Sequence, residues 1–97
     1  MNTKSILLIA AGMLLVGTAA AQSGADLAKS KNCMGCHDLD KKKVGPSFKD
    51  IAAKYKDNKE AEGKLVAALK EGKGHPVKVA ATDAELKTLV DYVLAQK

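Results

Sequence analysis

The hydrophobic positions of this chain form one continuous run at the start and several helical stripes after it. Residues 5–21 carry no charge and are mostly apolar; they follow Lys4 and end in three alanines. A charged start, a short apolar stretch and a small-x-small motif are typical of a secretory signal peptide. A retained membrane anchor would need about 18–20 apolar residues. We therefore expect cleavage after Ala21, which leaves residues 22–97 with no stable membrane insertion.

The apolar residues of the mature part repeat at helical spacing, and no alternating run of strand length occurs. The clearest stripe starts at Thr82, where the letters TDAE have the capping-box pattern of a helix N-terminus. Its apolar positions are Leu86, Leu89, Val90, Val93 and Leu94. They recur at intervals of three and four residues, so they form one broad face of a helix.

Three shorter helices are expected before this one. The first starts at Ser23, and the second starts at Ser47 after the breaker Val44-Gly45-Pro46. The second helix has an apolar face made of Phe48, Ile51, Ala52 and Tyr55. The third begins near Asp57 or Asn58 and ends at Gly72 or Gly74. Its inward positions are Ala61, Leu65, Ala68 and Leu69. The predicted fold class is all-α, one domain of about four short helices.

The composition leaves this domain short of large apolar side chains. The chain has one Phe, two Tyr and no Trp, so a metal or a cofactor is expected to add bulk to so small a core. The formal net charge is +5, and every basic residue is a lysine. Nucleic-acid binders use arginine and aromatic platforms. A solvated lysine-rich surface is therefore the favoured explanation, and nucleic acid is not expected as a partner.

The candidate chemistry lies in the letters CMGCH, which hold the only two cysteines, Cys33 and Cys36, followed at once by His37. Four interpretations compete. A redox dithiol is expected after a strand of a βαβ unit, and no strand pattern is visible. A zinc site would need both thiols, His37 and His75 as its four ligands. A disulfide across so small a loop would stabilise the fold little.

Covalent haem attachment explains all three residues together. The two thiols add to the two vinyl groups of a porphyrin, and the adjacent His37 becomes the proximal iron ligand. The motif also suits an exported chain, and the porphyrin supplies the apolar bulk that the side chains lack. We therefore expect one covalently attached haem c per chain, held by Cys33 and Cys36.

With these features the chain resembles the small class I bacterial cytochromes c of the c-551/c-552 type. The resemblance is carried by KNCMGCH, by DLDKKKVGPSFKDIAAKY and by TDAELKTLVDYVLAQK. It implies a class I cytochrome c fold around the haem and a last helix that crosses the first, with Tyr92 at the crossing. It also implies that the carbonyl of Pro46 accepts a hydrogen bond from His37, which would fix the tautomer of the ligand.

The loop before the last helix departs from that family, whose sixth iron ligand is a methionine there. Here the loop reads EGKGHPVKVAAT and has no methionine, while Met34 lies between the two cysteines. His75 is the predicted sixth ligand, and Pro76 favours an extended backbone at His75. Lys78 is its rival in the same loop. A lysine must lose a proton before it can bind iron, whereas a histidine is mostly neutral at pH 7.

The expected function is that of a soluble periplasmic one-electron carrier with His/His axial ligation, a monomer and not an enzyme. The alternative is a haem protein with an open sixth position that binds a small ligand or has weak enzymatic activity. The run Lys41-Lys42-Lys43 follows the haem motif and could steer docking of acidic redox partners. A solvated lysine loop is the alternative for that run.

Overall fold

The computed structural model describes residues 22–97, so the expected signal peptide, residues 1–21, lies outside the described residues. The described part contains four α-helices and one short 3-10 turn, and no strand occurs within it. The helices are α1 (Gly24–Ser30), α2 (Phe48–Lys54), α3 (Ala61–Glu71) and α4 (Asp83–Leu94), with the 3-10 turn at Cys33–Gly35. The prediction of an all-α fold with four short helices is confirmed.

Three of the helices begin at hydroxyl caps, as the sequence indicates. In each, the side-chain oxygen of the residue before the helix accepts a hydrogen bond at 3.1 Å from the backbone N–H three residues later. The caps are Ser23, Ser47 and Thr82. At α4 the capping box is complete, because the Glu85 carboxylate also accepts from the N–H of Thr82 at 2.9 Å. Each cap satisfies backbone donors that a helix end leaves unpaired.

The start of α3 was predicted wrongly. We expected it near Asp57 or Asn58, but the helix begins at Ala61. Asp57 adopts a left-handed backbone with φ of 62°, which a continuous helix does not allow. The side chain of Asn58 accepts from the N–H of Glu60 at 2.9 Å and so stabilises a turn before the helix.

The last helix, α4, is the centre of the packing. It contacts α1, α2 and α3, and α1 also contacts the 3-10 turn. The main buried cluster joins α1, α2 and α4 through Leu27, Ala28, Phe48, Leu89 and Val93. Tyr92 lies where α4 crosses α1, against Gly24, as expected. The buried face of α4 therefore joins the first and the last of the described helices.

The inward face expected for α3 is only partly confirmed. Ala61 is buried, but Leu65, Ala68 and Leu69 are half-buried. Among the described helices α3 packs against α4 alone, so only one side of it is covered by another helix.

Within residues 22–97, the structure has no helix that is both long enough and apolar enough to cross a membrane.

Candidate functional site

The CMGCH segment forms a tight turn directly after α1. Asn32 adopts a left-handed backbone with φ of 60° and turns the chain into the 3-10 segment. The carbonyl of Cys33 then accepts hydrogen bonds from the N–H of Cys36 at 3.2 Å and from the N–H of His37 at 2.9 Å. Two bonds to one carbonyl fold the motif back on itself, so the two thiols and the imidazole lie on one compact turn.

The two cysteines form no disulfide with each other, and they differ in burial. Cys33 is half-buried and Cys36 is exposed. Burial raises the pKa of the Cys33 thiol above its ordinary value of 9.0, against a smaller lowering by a backbone hydrogen bond. Redox dithiols usually work with a thiol of lowered pKa. The raised pKa of Cys33 therefore argues against a redox dithiol at this turn.

His37 is held in place by the backbone of the VGP stretch. The Nδ1 of the imidazole donates to the carbonyl of Pro46 at 2.5 Å. A β-carbon at Gly45 would come within 2.6 Å of the imidazole Cε1, so only glycine fits beside the ring. The N–H of Gly45 bonds to the carbonyl of Cys36 at 2.8 Å, which ties the stretch to the motif. Because Nδ1 donates to this carbonyl, Nε2 is the ring nitrogen left to bind a metal.

His75 lies in the loop between α3 and α4, and its imidazole is held in the same way. Its Nδ1 pairs with the carbonyl of Val77 at 2.7 Å, which again leaves Nε2 free. The fold brings this half-buried side chain opposite His37, from a segment far away in sequence. The centres of the two rings are 6.3 Å apart, and the ring planes differ by 14°.

This spacing fits one metal ion between the two rings. Two imidazoles on opposite sides of an ion, each bound at about 2.0–2.1 Å, have their ring centres roughly 6 Å apart. The observed separation of His37 and His75 is 6.3 Å. This separation is compatible with both rings binding one metal ion.

The other candidate ligands lie elsewhere. Met34 is half-buried and packs against the main buried cluster. The side chain of Lys78 lies against Gly72, where a β-carbon would come within 2.9 Å of its Cγ. In the part of the chain that the structure describes, no three His, Cys, Asp or Glu side chains are gathered to hold a metal ion, so the four zinc ligands do not converge.

The run Lys41-Lys42-Lys43 after the motif is partly bound by hydrogen bonds. The Asp38 carboxylate accepts from the N–H groups of Asp40 and Lys41, each at 3.1 Å. These two bonds, with smaller contributions from Lys43 and Lys41 charges, lower the pKa of Asp38 below its ordinary value of 3.8. The Nζ of Lys43 donates to the carbonyl of Met34 at 3.2 Å. Lys43 is therefore tied to the motif.

Three features of the site gave no recognisable sequence pattern. The first is the carbonyl of Val77 as the partner of His75. The second is Phe48, whose ring centre lies 5.4 Å from that of His37. The third is a hydrogen bond from Lys31 Nζ to the carbonyl of Ala80 at 2.8 Å. The second and third depend on residues brought together by the fold, and the first and third use backbone oxygens that any residue type offers.

A thiol-thiol-imidazole turn behind the first of four helices, with that imidazole held by a proline carbonyl, defines a class I c-type cytochrome. The chain belongs to the cytochrome c family, because the family model described as "Cytochrome c" matches residues 21–97. It therefore carries one haem c, attached covalently through its Cys-X-X-Cys-His motif by the thiols of Cys33 and Cys36.

Individual relatives agree with this assignment. The chain is 41% identical over 104 residues to cytochrome c-552 of Nitrosomonas europaea, with 100% of each chain covered. It is 40% identical over 96 residues to cytochrome c-551 of Pseudomonas aeruginosa, covering 93% of this chain and 92% of the relative.

Solved structures are similar as well. The class 1 cytochrome MtoD of Sideroxydans lithotrophicus ES-1 gives a TM-score of 0.68 at 33% identity, covering 75% of this chain and 91% of that one. Wild-type Nitrosomonas europaea cytochrome c552 gives a TM-score of 0.66 at 41% identity, covering 75% and 99%. The small class I cytochrome c fold expected from the sequence is confirmed.

Proposed function

We propose that this chain is an exported one-electron carrier whose haem iron is bound axially by His37 and His75. The observation that carries the proposal is the pair of facing imidazoles, 6.3 Å apart and nearly parallel. The bound haem supplies an iron that alternates between the ferric and ferrous states. The chain supplies two neutral nitrogen ligands and the backbone that holds them.

The backbone partners of the two rings determine the character of these ligands. The carbonyls of Pro46 and Val77 each accept a hydrogen bond from the Nδ1 of one imidazole. A hydrogen bond to a carbonyl fixes the tautomer and raises the basicity of the ligating nitrogen. Because methionine raises the potential of a haem, two nitrogen ligands should give a potential below that of a His/Met carrier.

Axial ligation by two side chains favours electron carriage over catalysis. When both axial positions are filled by His37 and His75, a substrate has no position at the iron. Electron transfer needs none, because only an electron has to enter and leave. Proton energetics and geometry both favour His75 over Lys78. An ordinary lysine must give up a proton at a cost of about 4.6 kcal/mol at pH 7, whereas an ordinary histidine is mostly neutral.

Absorption spectra of the loaded protein and two matched loop variants test the ligation. The wild type should be six-coordinate and low-spin when ferric, without the weak red absorption of a methionine-sulfur ligand. His75→Ala should become high-spin or water-bound, and its ferrous form should bind carbon monoxide quickly. Lys78→Ala, which removes the amine of the rival ligand in the same loop, should keep the wild-type spectrum.

Two results would count against the ligation proposal. A wild-type spectrum in His75→Ala together with a changed one in Lys78→Ala would make the lysine the ligand. A wild type that is already high-spin and binds carbon monoxide rapidly would favour the open sixth position instead.

The signal peptide and the cellular location are part of the same proposal. The apolar run at residues 5–21 and the cysteine-histidine motif together suit a chain that is translocated, cleaved after Ala21 and loaded with haem in the periplasm. The intact mass of the protein released from the periplasm should equal residues 22–97 plus one haem. A mass that retains the first twenty-one residues would contradict the cleavage.

The partners we propose are redox proteins that carry an acidic docking surface, met by this chain as a monomer. The support is the basic charge of the chain and the exposed side chains of Lys41 and Lys42 close to the haem motif. Opposite charges speed up the encounter of such pairs at low salt.

A further inference from the structure

The loop that carries His75 has few hydrogen bonds to the rest of the molecule. The C-terminal half of the loop is joined to α3 by a bond from the N–H of Val79 to the carbonyl of Leu69 at 2.9 Å. Its base is closed by an ion pair between Lys70 and Asp83, 3.0 Å apart. The first contact joins the loop to α3 and the second joins α3 to α4, so neither connects the loop to the segment that carries the haem motif.

Lys31 makes that connection. Its Nζ donates to the carbonyl of Ala80 at 2.8 Å, a contact between residues 49 positions apart. Its own backbone is fixed, because its N–H bonds to the carbonyl of Leu27 at the end of α1. Lys31 stands two residues before Cys33 and Ala80 stands five residues after His75. One side chain therefore links the haem-attachment segment to the loop of the second imidazole.

The surroundings of Lys31 favour this contact. Hydrogen bonds with the backbone and side chain of Thr82 lower the pKa of Glu85, and the nearby charge of Lys31 adds to that lowering. The ammonium group thus lies near the Glu85 carboxylate as well as at the carbonyl of Ala80. A hydrogen bond from a charged donor is stronger than one between neutral groups. The half-buried side chain of Lys31 is thereby drawn to the junction between the loop and α4.

We propose that Lys31 is a positioning residue that holds the His75 loop at the haem and so limits how often His75 leaves the iron. The inference rests on the proposed ligation by His75. The imidazole can leave only if its loop moves away from His37. Any such movement of the C-terminal half of the loop stretches the bond from Lys31 to Ala80, so breaking that bond belongs to the cost of opening.

The test is the rate at which the loaded ferric protein binds cyanide, followed by stopped flow. Cyanide can enter a six-coordinate iron only after one ligand has left, so at high cyanide the rate reaches that of His75 dissociation. Lys31→Met keeps the length of the side chain but removes the donor, and it should raise this limiting rate about threefold to tenfold. Lys31→Arg retains a charged donor and should restore a rate close to that of the wild type.

The matched control is Lys29→Met, which removes a lysine from the last turn of α1, two residues away, and should leave the rate unchanged. If Lys31→Met does not mature, the limiting rates of Lys31→Gln and Lys31→Arg are compared, and the Gln variant should be the faster one. A Lys31→Met protein with a lower melting temperature but the wild-type cyanide rate would overturn the proposal, since Lys31 would then support the fold alone.

The parent proposal fails in a different way. If His75 is not the ligand, His75→Ala keeps the wild-type ferric spectrum and its cyanide rate does not rise. If His75→Ala opens the site and accelerates cyanide binding while Lys31→Met and Lys31→Gln do not, the ligation stands and only the role of Lys31 is lost.

Discussion

Gly24 and Tyr92 meet where the first and last helices cross, at a distance that leaves no room for a side chain on the glycine. A β-carbon at Gly24 would lie 2.1 Å from the Cβ of Tyr92 and 3.1 Å from the carbonyl oxygen of Thr88. The ring of Tyr92 in turn meets Phe48 edge-on, with ring centres 6.2 Å apart. The close approach of α1 and α4 thus positions Tyr92, and Tyr92 contacts Phe48, which packs against His37.

The first prediction concerns this crossing. Gly24→Ala should lower the free energy of unfolding by about 1–3 kcal/mol or more, because the two helices must separate to admit the methyl group. Gly63→Ala is the control: no heavy atom lies within 4 Å of its β-carbon position on α3, so it should stabilise the protein by about 0.5–1 kcal/mol. Urea unfolding of the loaded proteins measures both. Equal effects of the two substitutions would show that the crossing is not tight.

The second prediction concerns docking. Lys41→Gln combined with Lys42→Gln should flatten the salt dependence of electron transfer to an acidic redox protein, because both charges are free to steer the encounter. The midpoint potential should stay in place. Lys43→Gln alone should change the salt slope less, since its Nζ is bound to the carbonyl of Met34. An unaltered salt slope in the double variant would leave these lysines as a solvated loop.

The third prediction concerns the stability of the fold at acid pH. The pKa of Glu85 is held below its ordinary value of 4.5, chiefly by hydrogen bonds with Thr82 and further by Lys31. A lowered folded pKa contributes stability at pH values above 4.5, and this contribution is lost as the pH falls through the folded pKa. Glu85→Gln keeps the capping-box geometry without the ionisation.

Thermal unfolding of the wild type and of Glu85→Gln, compared from pH 7 to pH 3, checks this. The wild type should be the more stable protein above pH 4.5, and the difference should shrink toward acid. A difference that stays constant over the whole range would mean that ionisation of Glu85 does not stabilise the fold.

The fourth prediction concerns Glu62, whose pKa is shifted in the opposite direction from that of Glu85. The pKa of Glu62 on α3 is raised above its ordinary value of 4.5, first by a shared hydrogen bond with Asp91 of α4 and then by desolvation and by the Asp91 charge. The stability that comes from the protonated form is complete below pH 4.5 and is lost as the pH rises through the raised pKa. At pH 7 the pair therefore repels.

Glu62→Gln should accordingly be more stable than the wild type at pH 7, and the gain should vanish below pH 4.5. Glu60→Gln is a control with the same change in net charge. It breaks the contact of Glu60 with Lys64, 3.6 Å apart, and should not stabilise the protein. If both variants gained stability equally, the general charge balance would be responsible and not the contact with Asp91.

The sequence alone predicts those features of the fold whose determining residues lie close together on one helix. The caps at Ser23, Ser47 and Thr82 and the apolar stripe of α4 are of this kind, and the structure has them. The start of α3 could not be predicted in this way, because Asn58 suits a helix cap and a turn equally well. Only the left-handed backbone at Asp57, which the structure shows, distinguishes the turn from the helix cap.

The site was predictable in its parts but not in its arrangement. The sequence named His37 and His75, yet their separation depends on how the α3–α4 loop returns to the haem motif. The role of the Ala80 carbonyl was invisible, because a lysine that bonds to a backbone oxygen 49 residues away leaves no local pattern. Backbone acceptors of this kind are found only after the fold is known.

The central position of α4 also determines when the chain can fold. Leu27 and Ala28 of the first helix share their buried cluster with Leu89 and Val93 of the last helix. A chain that emerges from translocation therefore lacks these contacts until its final dozen or so residues have followed. Until then Cys33 and Cys36 lie on a chain whose helices have not closed. The order of residues along the chain thus delays closure of the fold until the thiols have been exposed.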